Sequence, residues 1–85
     1  MGASILSAQP NPSRGTVYLT YQLPEGIQSC EIEILDSNGK LIEKRFATGK
    51  GIEEWNCKEC STGIYMVRIV CENIELATVK VSIVK

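Results

Sequence analysis

The chain of 85 residues is long enough for one domain with one core. Its 44% hydrophobic fraction is spread along the sequence, with no apolar run near the ~20 residues that carry a helix across a bilayer. Nine basic and ten acidic side chains leave a formal net charge of −1 without a Lys/Arg cluster, which argues against nucleic acid as a partner, and the absence of histidine excludes Ser-His and Cys-His catalysis and mixed Cys/His zinc sites.

Met1-Gly2-Ala3-Ser4 carries no basic n-region, and the apolar residues after it stop at Gln9-Pro10, too few for a signal-peptide h-region. Residues 1–4 read as a cloning-derived start, and 5–85 as a single domain. Pro10-Asn11-Pro12, followed by Gly15, fixes φ twice and removes two backbone donors, which suits a chain entering a sheet at an edge. Over 16–23, Val17, Leu19, Tyr21 and Leu23 share one face while Thr16, Tyr18, Thr20 and Gln22 share the other, the pattern of a half-buried strand. Pro24-Glu25-Gly26 marks a turn. Over 29–35, Cys30, Ile32 and Ile34 face a core, with Glu31 and Glu33 pointing to water.

Asp36-Ser37-Asn38-Gly39 is a hairpin turn: Asn38 and Gly39 both tolerate positive φ, and the Asp36 carboxylate can accept from N–H groups two residues on. A less regular strand over 40–48 ends at a second turn, Gly49-Lys50-Gly51. A short segment over 52–55 precedes the polar stretch 56–62, which has room for one helical turn or none. Gly63, free to take unusual dihedrals, opens the longest predicted strand, 64–71, where Tyr65 can anchor the core or bond through its hydroxyl. The last strand, 76–84, turns Ala77, Val79, Val81 and Ile83 inward and Thr78, Lys80 and Ser82 outward. Six or seven short strands at this spacing predict an all-β, immunoglobulin-like antiparallel β-sandwich of about seven strands.

Three signatures fall in order: Pro10-Asn11-Pro12-Ser13-Arg14-Gly15, then Asp36-Ser37-Asn38-Gly39-Lys40, then Gly63-Ile64-Tyr65-Met66-Val67-Arg68-Ile69 with a Lys80-Val81-Ser82-Ile83-Val84-Lys85 ending. Each alone is explained by turn or strand geometry. As a set, from about residue 5 to residue 85, they resemble the C-terminal sorting domain of the type IX secretion system. That resemblance implies a non-catalytic, cofactor-free signal at the end of a fused cargo, recognised in folded form by an outer-membrane translocon. It also implies a sortase-like peptidase cutting just upstream, and passage through the periplasm to the cell surface or medium. The positions matching the family are Pro10, Asn11, Pro12 and Gly15; Asp36, Gly39 and Lys40; Gly63, Tyr65, Val67 and Arg68; and Lys80, Val81, Ile83 and Lys85. The family relies most on its terminal segment, where Lys80, Ser82 and Lys85 beside an apolar face would offer a receptor a sheet edge and positive charge. Read singly, Lys80 and Lys85 are equally explained as edge gatekeepers.

The cysteines depart from the family's composition. Cys57-Lys58-Glu59-Cys60 is a single C-x2-C where a zinc ribbon pairs two, so its metal signal is weak. On the family pattern Cys57 and Cys60 stand where apolar residues are usual and Cys30 where a small residue is frequent, so burial would account for these three; it does not account for Cys71. Export through a periplasm permits disulfides. A Cys57–Cys60 bridge closes a very short loop and a Cys30–Cys71 bridge a long one, and the sequence leaves the pairing open. The absence of histidine disfavours reactive thiol chemistry, with Lys58 the neighbour available to lower a thiol pKa. Trp55 stands where an aliphatic residue is usual, and is expected to fill the core near Cys57.

Two rival readings remain. One is a passive immunoglobulin-like accessory or adhesion module, with carbohydrate as a ligand, which would need exposed aromatics in a row from Phe46, Trp55 and the three tyrosines. The other is a redox or metal protein built on Cys57 and Cys60. An exposed edge strand would also offer a route to a dimer.

Overall fold

The computed structural model describes residues 5–27 and 29–85; residues 1–4, read above as a start outside the domain, lie outside the described residues. Among the described residues seven strands form: β1 (Ile5–Gln9), β2 (Thr16–Gln22), β3 (Cys30–Leu35), β4 (Leu41–Ala47), β5 (Lys50–Asn56), β6 (Gly63–Cys71) and β7 (Ile74–Ile83). They build a three-stranded sheet, β1-β2-β5, and a four-stranded sheet, β4-β3-β6-β7, every neighbouring pair antiparallel. The result is the expected immunoglobulin-like β-sandwich.

Alternation explains which faces meet. Val17 and Leu19 of β2, Ile32 and Ile34 of β3, Val67 and Ile69 of β6, and Val81 and Ile83 of β7 are fully buried between the sheets. Each such aliphatic side chain contributes about 1.5–3 kcal/mol relative to exposure. Trp55 is buried among them and packs edge-on against Tyr65, ring centroids 5.5 Å apart at 74°. Cys30 and Cys71 sit directly opposite each other on β3 and β6, one step beyond the Glu31–Val70 pair, and are joined by a disulfide with Cα atoms 4.5 Å apart. That separation is the one expected of a non-hydrogen-bonded antiparallel pair.

The structure departs from the sequence reading at several points. Ile5–Gln9 forms an additional strand on β2. Lys50 and Gly51, read as part of a turn, lie in β5; a Cβ at Gly51 would stand 3.0 Å from Tyr21 Oη, so glycine here admits the tyrosine. Of residues 49–51, only Gly49 takes a left-handed φ, of 60°. The longest strand is β7, with 10 residues against 9 for β6, because the chain reverses at Glu72 and Asn73, whose φ values of 51° and 66° give the positive pair that a type I′ hairpin needs. In the 36–39 turn Gly39 alone has positive φ, at 82°. Gly63 takes no positive φ and uses none of its freedom.

The irregularity of β4 has a physical cause. A register shift at its start and the inward placement of Glu43 and Arg45 break the alternation. Arg45 bonds Glu43 and the Glu54 main-chain carbonyl, and reaches Glu53 Oε1 on β5 at 3.4 Å. Inward charges of this kind close the β4/β5 side of the sandwich to further strand pairing.

Candidate recognition end of the sandwich

Register brings the first two signatures, the start of the third and the C-terminal ending to one end of the molecule. The 36–40 turn follows β3, β6 begins there at Gly63, β7 ends there at Ile83, and the 10–15 segment crosses between the sheets at the same end. Leu35, Met66 and Lys80 form one row across β3, β6 and β7 on the outer face, next to the turn.

The first and last signatures are hydrogen-bonded together. Asn11 Nδ2 donates to Lys80 O at 2.8 Å, while Ser82 N donates to Asn11 Oδ1 at 2.9 Å. One side-chain amide thus supplies the donor and acceptor that a neighbouring strand would offer to the edge of β7. Ser13 continues the pairing through its own backbone, with Ser13 N to Ser82 O and Val84 N to Ser13 O both at 2.9 Å. The Ser13 side chain is buried and satisfied, Oγ donating to Thr16 O at 2.8 Å and accepting from Gly15 N at 3.2 Å. The proline rings on either side of Asn11 present no N–H to solvent at this edge.

Gly15 O accepts the Cys57 N–H at 2.6 Å, and Cys60 N donates to Cys57 O at 3.0 Å, so 56–62 holds a hydrogen-bonded turn and no helix. Lys85 closes the group. Its ammonium donates to Cys57 O at 2.8 Å, Lys58 O at 2.9 Å and Arg14 O at 3.4 Å, and its backbone N–H donates to Thr62 Oγ1 at 3.0 Å. Below this node Tyr65 Oη donates to Ser61 O at 2.7 Å. The sequence reading passed over Ser13 and Thr62; their partners lie at the far end of the chain, and no local pattern marks them.

The middle signature is self-contained. Asp36 Oδ1 accepts from Asn38 N and Lys40 N, both at 2.9 Å, and Gly39 N donates to Asp36 O at 3.0 Å. Beside it the outer face of the four-stranded sheet carries Arg68, whose Nε donates to Glu33 Oε1 at 2.7 Å and whose guanidinium lies 3.9 Å from Glu75. Leu35, Asp36, Met66, Arg68 and Thr78 line a shallow groove of about 260 Å³ between the turn and β7.

The predicted site residues therefore divide. Tyr65, Val67, Val81 and Ile83 are buried core, Asn11 and Lys85 tie main chain, and Asp36, Lys40, Arg68 and Lys80 reach the outer surface. Pro10, Pro12 and Gly15 shape the crossing segment, whereas Gly63 has open space where a side chain would be. Burial raises the Cys57 and Cys60 thiols above the ordinary value, while the Lys85 charge pulls the other way. Among the described residues no three His, Cys, Asp or Glu side chains are grouped to hold a metal ion, and no helix is long and apolar enough to cross a membrane.

The molecule is a small immunoglobulin-like sandwich in which the first signature docks on the strand that ends the last. Comparison with family models identifies it: the model described as "Secretion system C-terminal sorting domain" matches residues 7–85. The chain belongs to that family, the sorting domains of type IX secretion. A search of curated proteins finds no match.

Proposed function

We propose that residues 5–85 act as a non-catalytic sorting signal, carrying an upstream cargo through the periplasm to the outer-membrane translocon, where a sortase-like peptidase cuts before the domain. The observation that carries this reading is the match over 7–85 combined with the docking of the first signature on the strand that ends the last. Within it we assign two roles. Asn11, Ser13, Gly15, Tyr65, Val81, Ile83 and Lys85 give the end its shape. Asp36, Gly39, Lys40, Arg68 and Lys80, on or beside the outer face of the four-stranded sheet, supply the surface that the translocon reads.

The carbohydrate-binding alternative has little support. Trp55, Tyr21 and Tyr65 are buried, and the exposed aromatics, Tyr18 and Phe46, lie on the outer faces of different sheets. They form no row on which a sugar could stack.

The test is a fusion of residues 5–85 to the C-terminus of a periplasmic fluorescent reporter in a host with type IX secretion. Reporter is expected at the surface or in the medium, and in the periplasm when the translocon is deleted. Removing 80–85 should trap the reporter, but this also strips half of the node. Lys80→Glu separates the two effects, because its exposed side chain can be reversed in charge while the fold is retained; export unchanged in a folded Lys80→Glu fusion would remove Lys80 from the recognition surface.

A further inference from the structure

The cysteines outside the Cys30–Cys71 disulfide are not used by the sorting role. Cys57 and Cys60 begin and end the hydrogen-bonded turn closed by Cys60 N to Cys57 O at 3.0 Å. The ends of such a turn lie within about 7 Å of each other, and a disulfide spans Cα separations of roughly 4.4–6.8 Å. The Cys57 thiol, at the start of that turn, donates to Gly15 O at 2.7 Å. Cys57 is fully buried and Cys60 half-buried, so a reagent from solvent meets Cys60 first.

We propose that Cys57 and Cys60 are a dithiol site for an oxidising disulfide, which converts them into a second intramolecular disulfide at the end of the sandwich opposite Cys30–Cys71. The Cys60 thiolate attacks one sulfur of the oxidant and breaks its S–S bond, and the departing sulfur takes up the proton that Cys60 gave up. The Cys57 thiolate then attacks Cys60 Sγ in the mixed disulfide and expels the second oxidant sulfur, which takes the Cys57 proton. Two cysteine thiols are oxidised by two electrons, and one oxidant disulfide is reduced to two thiols.

The surroundings accommodate the product. Gly15 O keeps the Cys57 N–H at 2.6 Å when the S–H donor is gone, so no acceptor is orphaned. The carbonyls of Cys57 and Lys58 that hold Lys85 Nζ belong to the same turn, so the bridge would also fasten the anchor of the last residue. The proposal does not depend on the export reading, since it concerns thiol chemistry of the folded chain.

The experiment uses the full chain, with Cys57 and Cys60 reduced, treated with glutathione disulfide and digested with trypsin. Cleavage after Lys58 puts Cys57 and Cys60 on separate peptides, which stay together only if the bridge has formed. The expected result is a linked 57/60 pair alongside the 30/71 pair. Recovery of both as separately alkylated peptides, a stable glutathione adduct on Cys60 of the unaltered chain, or pairing of either with Cys30 or Cys71 would overturn the proposal. Cys57→Ser should hold the mixed disulfide on Cys60, whereas in folded Cys60→Ser the remaining Cys57 should react about tenfold more slowly or less. Equal rates for the two single variants would contradict the order of attack, and should either variant fail to fold, the peptide map of the unaltered chain still decides.

Discussion

The two ends of this sandwich are held by different means. At one end Cys30 and Cys71 are covalently joined across β3 and β6, beside the Glu72-Asn73 hairpin turn. At the other, the segment 10–15, the turn 57–60 and the end of β7 are joined by hydrogen bonds from Asn11, Ser13 and Lys85 to main-chain groups. The disulfide works mainly by restricting the unfolded chain and would persist through movements of the residues around it. The hydrogen-bonded end depends on folded geometry alone, bond by bond, and each bond competes with water. The end proposed for recognition is therefore also the end that single substitutions should disturb most selectively, while overall stability leans on the other.

The largest effect should come from breaking the covalent end. Replacing Cys30 and Cys71 together by Ala opens a link between positions 41 residues apart and should lower unfolding stability by about 4 kcal/mol. Urea denaturation without reductant measures the loss. A mild reductant that leaves the variant's midpoint unchanged but lowers that of the unaltered chain would tie the effect to this bridge. Export of a fused reporter should survive wherever the variant remains folded.

At the hydrogen-bonded end Asn11→Ala removes the donor to Lys80 O and the acceptor for Ser82 N, for a loss of about 2 kcal/mol. Asn11→Asp keeps the acceptor but sets a carboxylate against a carbonyl, so it should not recover full stability. Hydrogen exchange at Ser82 should speed up in Asn11→Ala and leave the amides of β3 unchanged; a uniform rise across both strands would show that the two ends are not separable. Lys85→Met, which keeps the stem and loses the ammonium held by carbonyls of residues 57 and 58, should cost about 1 kcal/mol in the same denaturation assay.

These regions differ as much in how visible they are in the sequence. The faces of β2 and β3 follow from strict alternation, and Val17, Leu19, Ile32 and Ile34 are buried as that pattern requires. Asp36 makes the local bonds its side chain suggests, since both partners lie within four residues. The pairing of Asn11 with Lys80 and Ser82 spans about seventy positions and leaves no periodic trace. Gly51 looks like a turn residue but sits in β5, because the reason for a glycine there is a tyrosine thirty residues away. Arg45 breaks the β4 pattern for a similar reason: besides Glu43 on its own strand, its partners Glu53 and the Glu54 carbonyl are on the other sheet. The resemblance to sorting domains made the motif end visible as a set, but it could not say that Lys85 faces its own backbone while Lys80 stands exposed.

The smallest effect separates the ends by pH. Cys30 and Cys71, being bonded, do not titrate, whereas the reduced thiols of Cys57 and Cys60 are held above the ordinary 9.0, first by burial, with the Lys85 charge opposing. Below that value the thiols are protonated in both folded and unfolded chains, and their contribution to stability is fully present. As the pH rises past 9.0 the unfolded chain releases these protons while the folded one retains them. The unfolded state then binds fewer protons, so stability falls until the pH has passed through the folded values. Other groups titrate in the same range, so the comparison is between the reduced chain and a Cys57→Ala/Cys60→Ala double variant, each followed by urea denaturation from pH 8 upward. The reduced chain should lose stability more steeply, and oxidation of Cys57 to Cys60 should remove the excess slope. Parallel curves would mean that the turn is open enough for its thiols to ionise as they do in the unfolded chain, which would contradict their burial in the folded one.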